Sequence, residues 1–395
     1  MPTPHFVLYD GNEWEQLLPL TATRAIADSR IGILTIKEKW EKHLNTVVGI
    51  LTQPYLQPKY NYNPNPNTIY INSAVLPNKL LLNEIKNIPV NSKLIYQNTI
   101  IAVNIFNDTI NQLQELILIQ NNIKQTVETT TAIVKLNYAW DIFTHNGAEI
   151  KNDIQLLGLT PNPEILSKTN TLLGTEIYIE DGVNCECAVL NSNNGPIYLG
   201  KNSEIMEGCT IRGPFALGEH ATLKMQAKIY SDTTIGPHSK VGGEVSNSVI
   251  FGYSNKGHDG FLGNSVIGEW CNLGADTNNS NLKNNYSTVK AYNYPTQKYI
   301  NTNLQFCGLI MGDHAKAAIN TQFNTGTVVG VCANVFDAGF PDKFIPDFAW
   351  GNKDTFTLDK AYEVAQRVME RRAIPLIETD KNILKYIYDN RFNAK

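Results

Sequence analysis

The chain has 395 residues, 42% of them hydrophobic, with 33 basic against 37 acidic side chains and a formal net charge of −4. That length exceeds what one compact core ordinarily accommodates, so two domains with an appendage, or an elongated repeat, are expected. No Lys/Arg block long enough to follow a phosphate backbone, no membrane-length apolar run and no basic-then-apolar leader at MPTPHFVLYD occur, which argues against nucleic-acid and membrane partners and for a cytoplasmic protein.

In chain order, HFVLYD (5–10), TIYINSAVL (68–76) and KLIYQNTIIAVNI (93–105) read as strands, and GILTIKEKWEKHL (32–44) and TINQLQELILI (109–119) as helices. The alternation predicts an α/β domain over residues 1–165 with a mainly parallel sheet. The loop YNYNPNPN (60–67) interrupts it, and GLTPNPEILSKTN (158–170) is the expected linker.

Residues 166–345 carry a six-residue period. Leu199, Ile205, Ile211, Leu217, Leu223, Ile229, Ile235 and Val241 follow one another at that interval, each trailed four places later by a mostly small residue such as Ser203, Cys209 or Ala221. An inward aliphatic residue, a turn residue beside it and a small inward residue describe one flat side of a triangular coil, three sides making one turn of a parallel β-helix. The period returns with Phe261, Ile267 and Leu273 and again from Met311 to Val335, while 246–260 and 278–308 break it and are expected to leave the coil as insertions. His220 and His238 stand one turn apart and should stack; no third histidine stands in register, so no metal site is expected. The six cysteines have no CxxC pairing and read as reduced, mostly buried thiols.

From 346 to 395 the pattern is helical, with Leu358, Ala361, Val364, Ala365 and Val368 on one stripe and Ile383, Leu384 and Ile387 on another. Thr357 and Thr379 are the expected caps, and the helices are expected to pack across the end of the coil.

The stretch EVSNSVIFGYSNKGHDGFLGNSVIGEWCNLGADTNNSN (244–281) resembles the acetyltransferase half of the bifunctional N-acetylglucosamine-1-phosphate uridyltransferase/glucosamine-1-phosphate N-acetyltransferase family. That resemblance, over roughly 195–340, implies a left-handed β-helix, acetyl-CoA as acyl donor, an amino-sugar phosphate as acceptor, and a homotrimer with the donor in the groove between two coils. It implies His258 as general base, an imidazole being suited to that task near neutral pH, with the surrounding glycines leaving room for substrates. Asn272 and Asn281 would orient the substrates, Glu244 matches a family acid, Lys228 would neutralise a sugar phosphate, and amides beside Gly274 and Ala275 would stabilise the oxyanion. Phe261 stands where the family has a tyrosine and Ser246 where it has a lysine, which leaves a different amino sugar, hydroxyl acceptor or acyl donor open.

LLPLTATRAIADSRIGILTIKEKW (17–40) and AWDIF (139–143) resemble, in patches, sugar-1-phosphate nucleotidyltransferases. Gly11, Arg24 and Asp141 are the positions this implies for phosphate and metal contacts, with Lys37 or Lys39 in place of the family lysine. LYDGNEWEQ (8–16) replaces the glycine-rich loop that cradles phosphates, and Asn72-Ser73 replaces the Gly-Asp whose acid holds Mg2+. The domain is then either a divergent nucleotidyltransferase dependent on Mg2+ or a degenerate domain kept for binding or assembly, and the two losses favour the second. Three readings result: an acyltransferase at the coil, a nucleotidyltransferase in the first domain, and a non-catalytic scaffold that binds sugar nucleotides.

Overall fold

A computed structural model describes residues 4–391. Its contacts group into two compact units, one comprising the chain up to Leu17 with Thr23–Ser29 and Leu34–Tyr138, the other Leu18–Ala22, Arg30–Ile33 and the chain from Ala139 on. The sequence alone places residues up to 165 in the first domain; by contact the second unit begins earlier.

The first unit is a six-stranded sheet in the order β2-β1-β3-β5-β4-β6. Its elements are β1 (His5–Tyr9), α1 (Glu13–Gln16), α2 (Ile36–Leu44), β2 (Gly49–Leu51), β3 (Asn67–Asn72), α3 (Lys79–Lys86), β4 (Ser92–Tyr96), β5 (Thr99–Phe106), α4 (Leu113–Asn122) and β6 (Gln125–Glu128). β1 pairs parallel with β2 and β3, and β4 parallel with β6, but β5 runs antiparallel to both β3 and β4. The sheet is therefore mixed, and the cause is local. KLIYQNTIIAVNI turns back on itself at Gln97 and Asn98, whose φ values of 46° and 68° are those of a primed hairpin turn. Val7, Tyr9, Tyr70 and Val103 on the sheet pack against Leu113 and Leu116 of α4. Thr35 starts α2 with a capping box, its hydroxyl accepting from Glu38 N while the Glu38 carboxylate accepts from Thr35 N at 2.7 Å.

The second unit is a three-sided parallel coil. Its first face has six strands from Thr171–Leu173 to Phe261–Gly263, its second nine from Ile177–Ile179 to Phe344–Ile345, and its third ten from Asn184–Cys185 to Asp354–Thr355. The aliphatic positions from Leu199 to Val241 are all buried in one continuous core. Helix α5 (Asp141–Leu157) lies on the second face, where the Asn146 side chain accepts from Gly32 N and donates to Asp232 O, and Thr234 Oγ1 donates to Gly32 O.

The first break in the period is not an insertion. Thr222 pairs with Lys240, eighteen residues on, but Lys240 pairs with Asn255, fifteen on, and Asn255 with Asn272, seventeen on. Corners are shortened while the faces continue. One consequence concerns Phe261: it pairs with Glu244 and is half-buried on the outside, and Leu262, 1% exposed, takes the inward position expected of it. The second break does leave the coil, as an antiparallel hairpin pairing Lys290–Asn293 with Lys298–Asn301.

His220 and His238 stack at 5.0 Å, as expected. The column continues through Tyr253, Trp270 and His314, with spacings of 4.8, 4.3 and 6.3 Å. A third histidine thus does fall in register, hidden from an eighteen-residue count by the shortened turns and above all by the excursion between Asn279 and Leu309 that separates Trp270 from His314 in the chain, but two aromatic rings separate it from His238. All five have φ between 54° and 61° at the corner between the second and third faces. Helices α6 (Leu358–Glu370) and α7 (Glu378–Asp389) lie along this corner rather than across the coil's end: Ala365 and Met369 pack on Trp270, and Phe348 meets Tyr388 edge-on. Thr357 stands at the N-cap of α6 without a side-chain cap bond, whereas Thr379 is inside α7, whose N-cap is Ile377. Among the described residues all six cysteines are free thiols, and Cys187 is the exposed one.

Candidate functional site

His258 lies at the corner between the third and first faces, in the turn that links Asn255–Lys256 to Phe261–Gly263. Its side chain is exposed. Two glycines of this corner and the one before it are required by stacking of one corner on the next. Gly260 has φ 120°, and a Cβ there would meet the Thr277 carbonyl oxygen at 2.2 Å; a Cβ on Gly243 would meet the Gly260 carbonyl at 2.8 Å. The next turn's corner is Gly274 to Thr277, tied to this one by Asp276 N donating to Asp259 O at 3.1 Å. The Gly274 N–H is committed to the Ala317 carbonyl at 2.9 Å, whereas the Ala275 N–H donates to no group among the described residues.

The remaining positions fall on the two faces that meet at this corner. On the first face Lys228, Glu244 and Phe261 form one column in register, continued by Asn278, whose Oδ1 accepts from Phe261 N. Asn272 is on the third face, its Oδ1 accepting from Asn255 Nδ2 at 2.9 Å. Asn281 is at the far edge of the first face, donating to Asn264 Oδ1 at 2.8 Å, and its amide and the Phe261 ring both lie against Gly263. One chain therefore brings His258 to the Gly274 and Ala275 corner and Phe261 to Asn281, and puts Asn272 on a different face from Asn281.

Sequence reasoning missed Lys256. It pairs with Val241 in the inward column of the third face, is 2% exposed, and its ammonium donates to Gly242 O at 2.8 Å and to the His258 carbonyl at 3.0 Å. Burial pushes it down to about 8 against the opposing pull of Asp259 and Asp276. The signal was present in principle, a lysine inside a repeat, but is recognisable only once the shortened turn puts it in phase.

In the first unit Gly11 lines a cleft of about 290 Å3 at the carboxyl ends of β1 and β3, with Tyr9, Glu13, Asn72, Gln120 and Lys135. Arg24 is buried and is not among the lining residues; Asp141, the first residue of α5, belongs to the other unit. Asp10, at the end of β1, turns inward, accepting from Ile26 N at 3.0 Å and Thr52 Oγ1 at 2.5 Å, and burial pushes its carboxyl up to about 7. The acid lining the cleft, Glu13, is held by Lys135 Nζ at 2.8 Å and by Asn72 Nδ2 at 3.3 Å. A lone carboxylate already neutralised by a lysine does not fit Mg2+, which takes oxygen ligands in a near-octahedral set. No group of three or more His, Cys, Asp or Glu able to hold a metal occurs among the described residues.

Residues 6–160 match the family model described as sugar nucleotidyl transferase. The chain is 31% identical over 113 residues to the bifunctional protein GlmU of Methanocaldococcus jannaschii, covering 29% of this chain and 26% of that protein. It is 24% identical over 225 residues to the GlmU of Synechococcus elongatus, covering 51% of this chain and 42% of that one. The chain thus spans less than half the length of these curated relatives. Among solved structures, an Arabidopsis UDP-N-acetylglucosamine acyltransferase is similar at TM-score 0.25 and 13% identity, over 58% of this chain and 98% of that one. From residue 6 to 160 the chain thus matches the sugar nucleotidyl transferases, and it resembles the bifunctional GlmU proteins.

Proposed function

We propose that the chain is a transferase whose coil moves an acyl group from acetyl-CoA to an amino-sugar phosphate, with His258 as the base. The observation that supports this best is the exposed imidazole at a tightly stacked corner, one turn away from the open amide of Ala275. In this reading the amine attacks the thioester carbonyl and His258 takes its proton. The Ala275 amide holds the oxyanion, the C–N bond forms as the C–S bond breaks, and the departing thiolate receives the proton from His258. Asn272 and Asn281, on different faces, would serve one reaction only across a groove between two coils, so a homotrimer is part of the proposal. Light scattering should then read three copies of the 44.1 kDa chain; a monomer at working concentration counts against it.

The test is thiol release from acetyl-CoA with a panel of amino-sugar phosphates. Replacing His258 with Ala should slow acceptor-dependent release by about 100-fold or more, and an unchanged rate removes His258 from the chemistry. For the first unit, the match over 6–160 and the cleft at the strand ends favour binding of a sugar nucleotide. Because the donor set does not fit Mg2+, binding without pyrophosphate release from a nucleoside triphosphate and a sugar-1-phosphate is expected, and Mg2+-dependent release would overturn that.

A further inference from the structure

A second cleft, of about 520 Å3, opens between the carboxy-terminal helices and the third face of the coil. Lys240, Lys316, Arg371 and Arg372 converge on it, and the carboxamides of Asn255 and Asn272 line its floor. Tyr253 and Trp270 form one wall, and since Trp270 is stacked between Tyr253 and His314 it offers its ring edge, the electropositive part of an aromatic ring.

No acid lines this cleft. The tail has acids to spare elsewhere: Lys360 and Arg367 pair with Glu363, Lys381 with Glu378, and Lys385 with Asp389. Among the described residues none of the four cleft cations is in an ion pair. Arg372 donates to the His238 carbonyl at 3.1 Å and Lys316 to the His314 carbonyl at 2.8 Å, bonds that fix both without neutralising them. The Lys240 ammonium is held below the usual lysine range by burial first, then by Arg372, Lys224 and Arg371, against the weaker pull of Glu204 two rungs away on the same face. Converging like charges are unfavourable by themselves and become favourable when an anion sits among them.

Lys240, Asn255, Asn272 and Lys316 are successive rungs of one ladder. At about 4.8 Å per rung the backbones of the two lysines are roughly 14 Å apart, so their side chains enter the cleft from opposite ends, and with the two arginines they present four positive charges, more than one phosphate balances. We infer that this cleft binds a ligand bearing at least two phosphoryl groups, of the nucleoside diphosphate kind that coenzyme A and nucleotide sugars share. The two arginine forks suit phosphate oxygens and the lysines act as point charges at either end. Asn272 also belongs to the proposed acyl-transfer set, but the inference concerns binding and does not depend on His258. Arg371 and Arg372 lie outside the segment that resembles the acetyltransferases.

Calorimetric titration of the full chain with pyrophosphate, UDP and coenzyme A tests it, with orthophosphate as the single-phosphate probe. Saturable binding of at least one of the first three is expected, weakened by salt and weakened roughly tenfold in each of Arg371→Gln and Lys240→Gln. Preference for coenzyme A over UDP would identify the ligand as the acyl donor, and the reverse preference as a nucleotide. Absence of binding, affinity unchanged in both variants, or orthophosphate binding as tightly as the diphosphates would each overturn it. A His258→Ala protein that still titrates but no longer releases thiol separates the fate of this proposal from that of the acyl transfer.

Discussion

Lys256 stands in a column whose neighbours are Val241 on one side and Leu273 and Ala317 on the other. It bonds the carbonyl of His258 itself, so it positions the corner from within the core. Below pH 8 the folded and unfolded chains both hold its proton, and burying the cation is a standing cost. Between about 8 and its ordinary value near 10.4 only the unfolded chain binds the proton, so this group makes stability rise with pH. The difference in urea midpoint between the native protein and Lys256→Met should therefore move in favour of the native protein from pH 7.5 to pH 10. A flat difference would mean the ammonium is solvated. Asp10 has the opposite sign: its folded value near 7 lies above the unfolded value near 3.9, so its contribution is full below pH 4 and is lost as pH rises through 7. Asp10→Asn should remove that slope and raise Tm at pH 8 by a few degrees, read by melting at pH 5 and pH 8.

The coil's turns vary while its faces do not. Eighteen-residue turns leave a six-residue period plain to the eye from Leu199 to Val241, and each of those positions is buried as read. Once turns shorten to fifteen and seventeen residues the inward alternation continues but its phase shifts, and a shift of one residue exchanges the two sides of a strand. Phe261 therefore faces outward and Leu262 inward, while the excursion between Asn279 and Leu309 carries His314 out of the count that links His220 and His238. Tight corners also limit substitution. A Cβ on Gly236 would lie 1.9 Å from the Phe251 carbonyl oxygen, an atom fixed in the next turn. Gly236→Ala should cost more than about 2 kcal/mol in urea unfolding, and a near-native midpoint would show that the corner can open.

The carboxy-terminal helices are fastened to the coil through the aromatic corner. Trp270 is the centre of that contact, packed by Ala365, Met369 and Leu376 and stacked on Tyr253. Removing it leaves a large void, so Trp270→Ala should weaken docking by about 3–5 kcal/mol. Trypsin should then cut at Lys353, Arg371 and Arg372 faster than in the native protein, while the coil stays resistant. Equal cleavage rates would place the tail's anchorage elsewhere, for instance at the Phe348–Tyr388 contact.

Much of the architecture was legible because it follows from short-range periodicity. The α/β beginning, the coil and the helical stripes at Ala361, Ala365, Ile383, Leu384 and Ile387 each repeat at the interval their geometry demands, and these residues are buried. The candidate site was legible only as positions in a resemblance. Which of them meet depends on how many residues each corner uses, and corner length has no periodic trace in the sequence. The cleft of Lys240, Lys316, Arg371 and Arg372 was not legible at all, because it joins the coil to a tail that is distant in sequence, and only packing along the aromatic corner brings those charges together. Local pattern determined the elements; the long-range contacts that assemble charge and chemistry were decided by the tertiary structure, where turn length and side-chain packing set the neighbours.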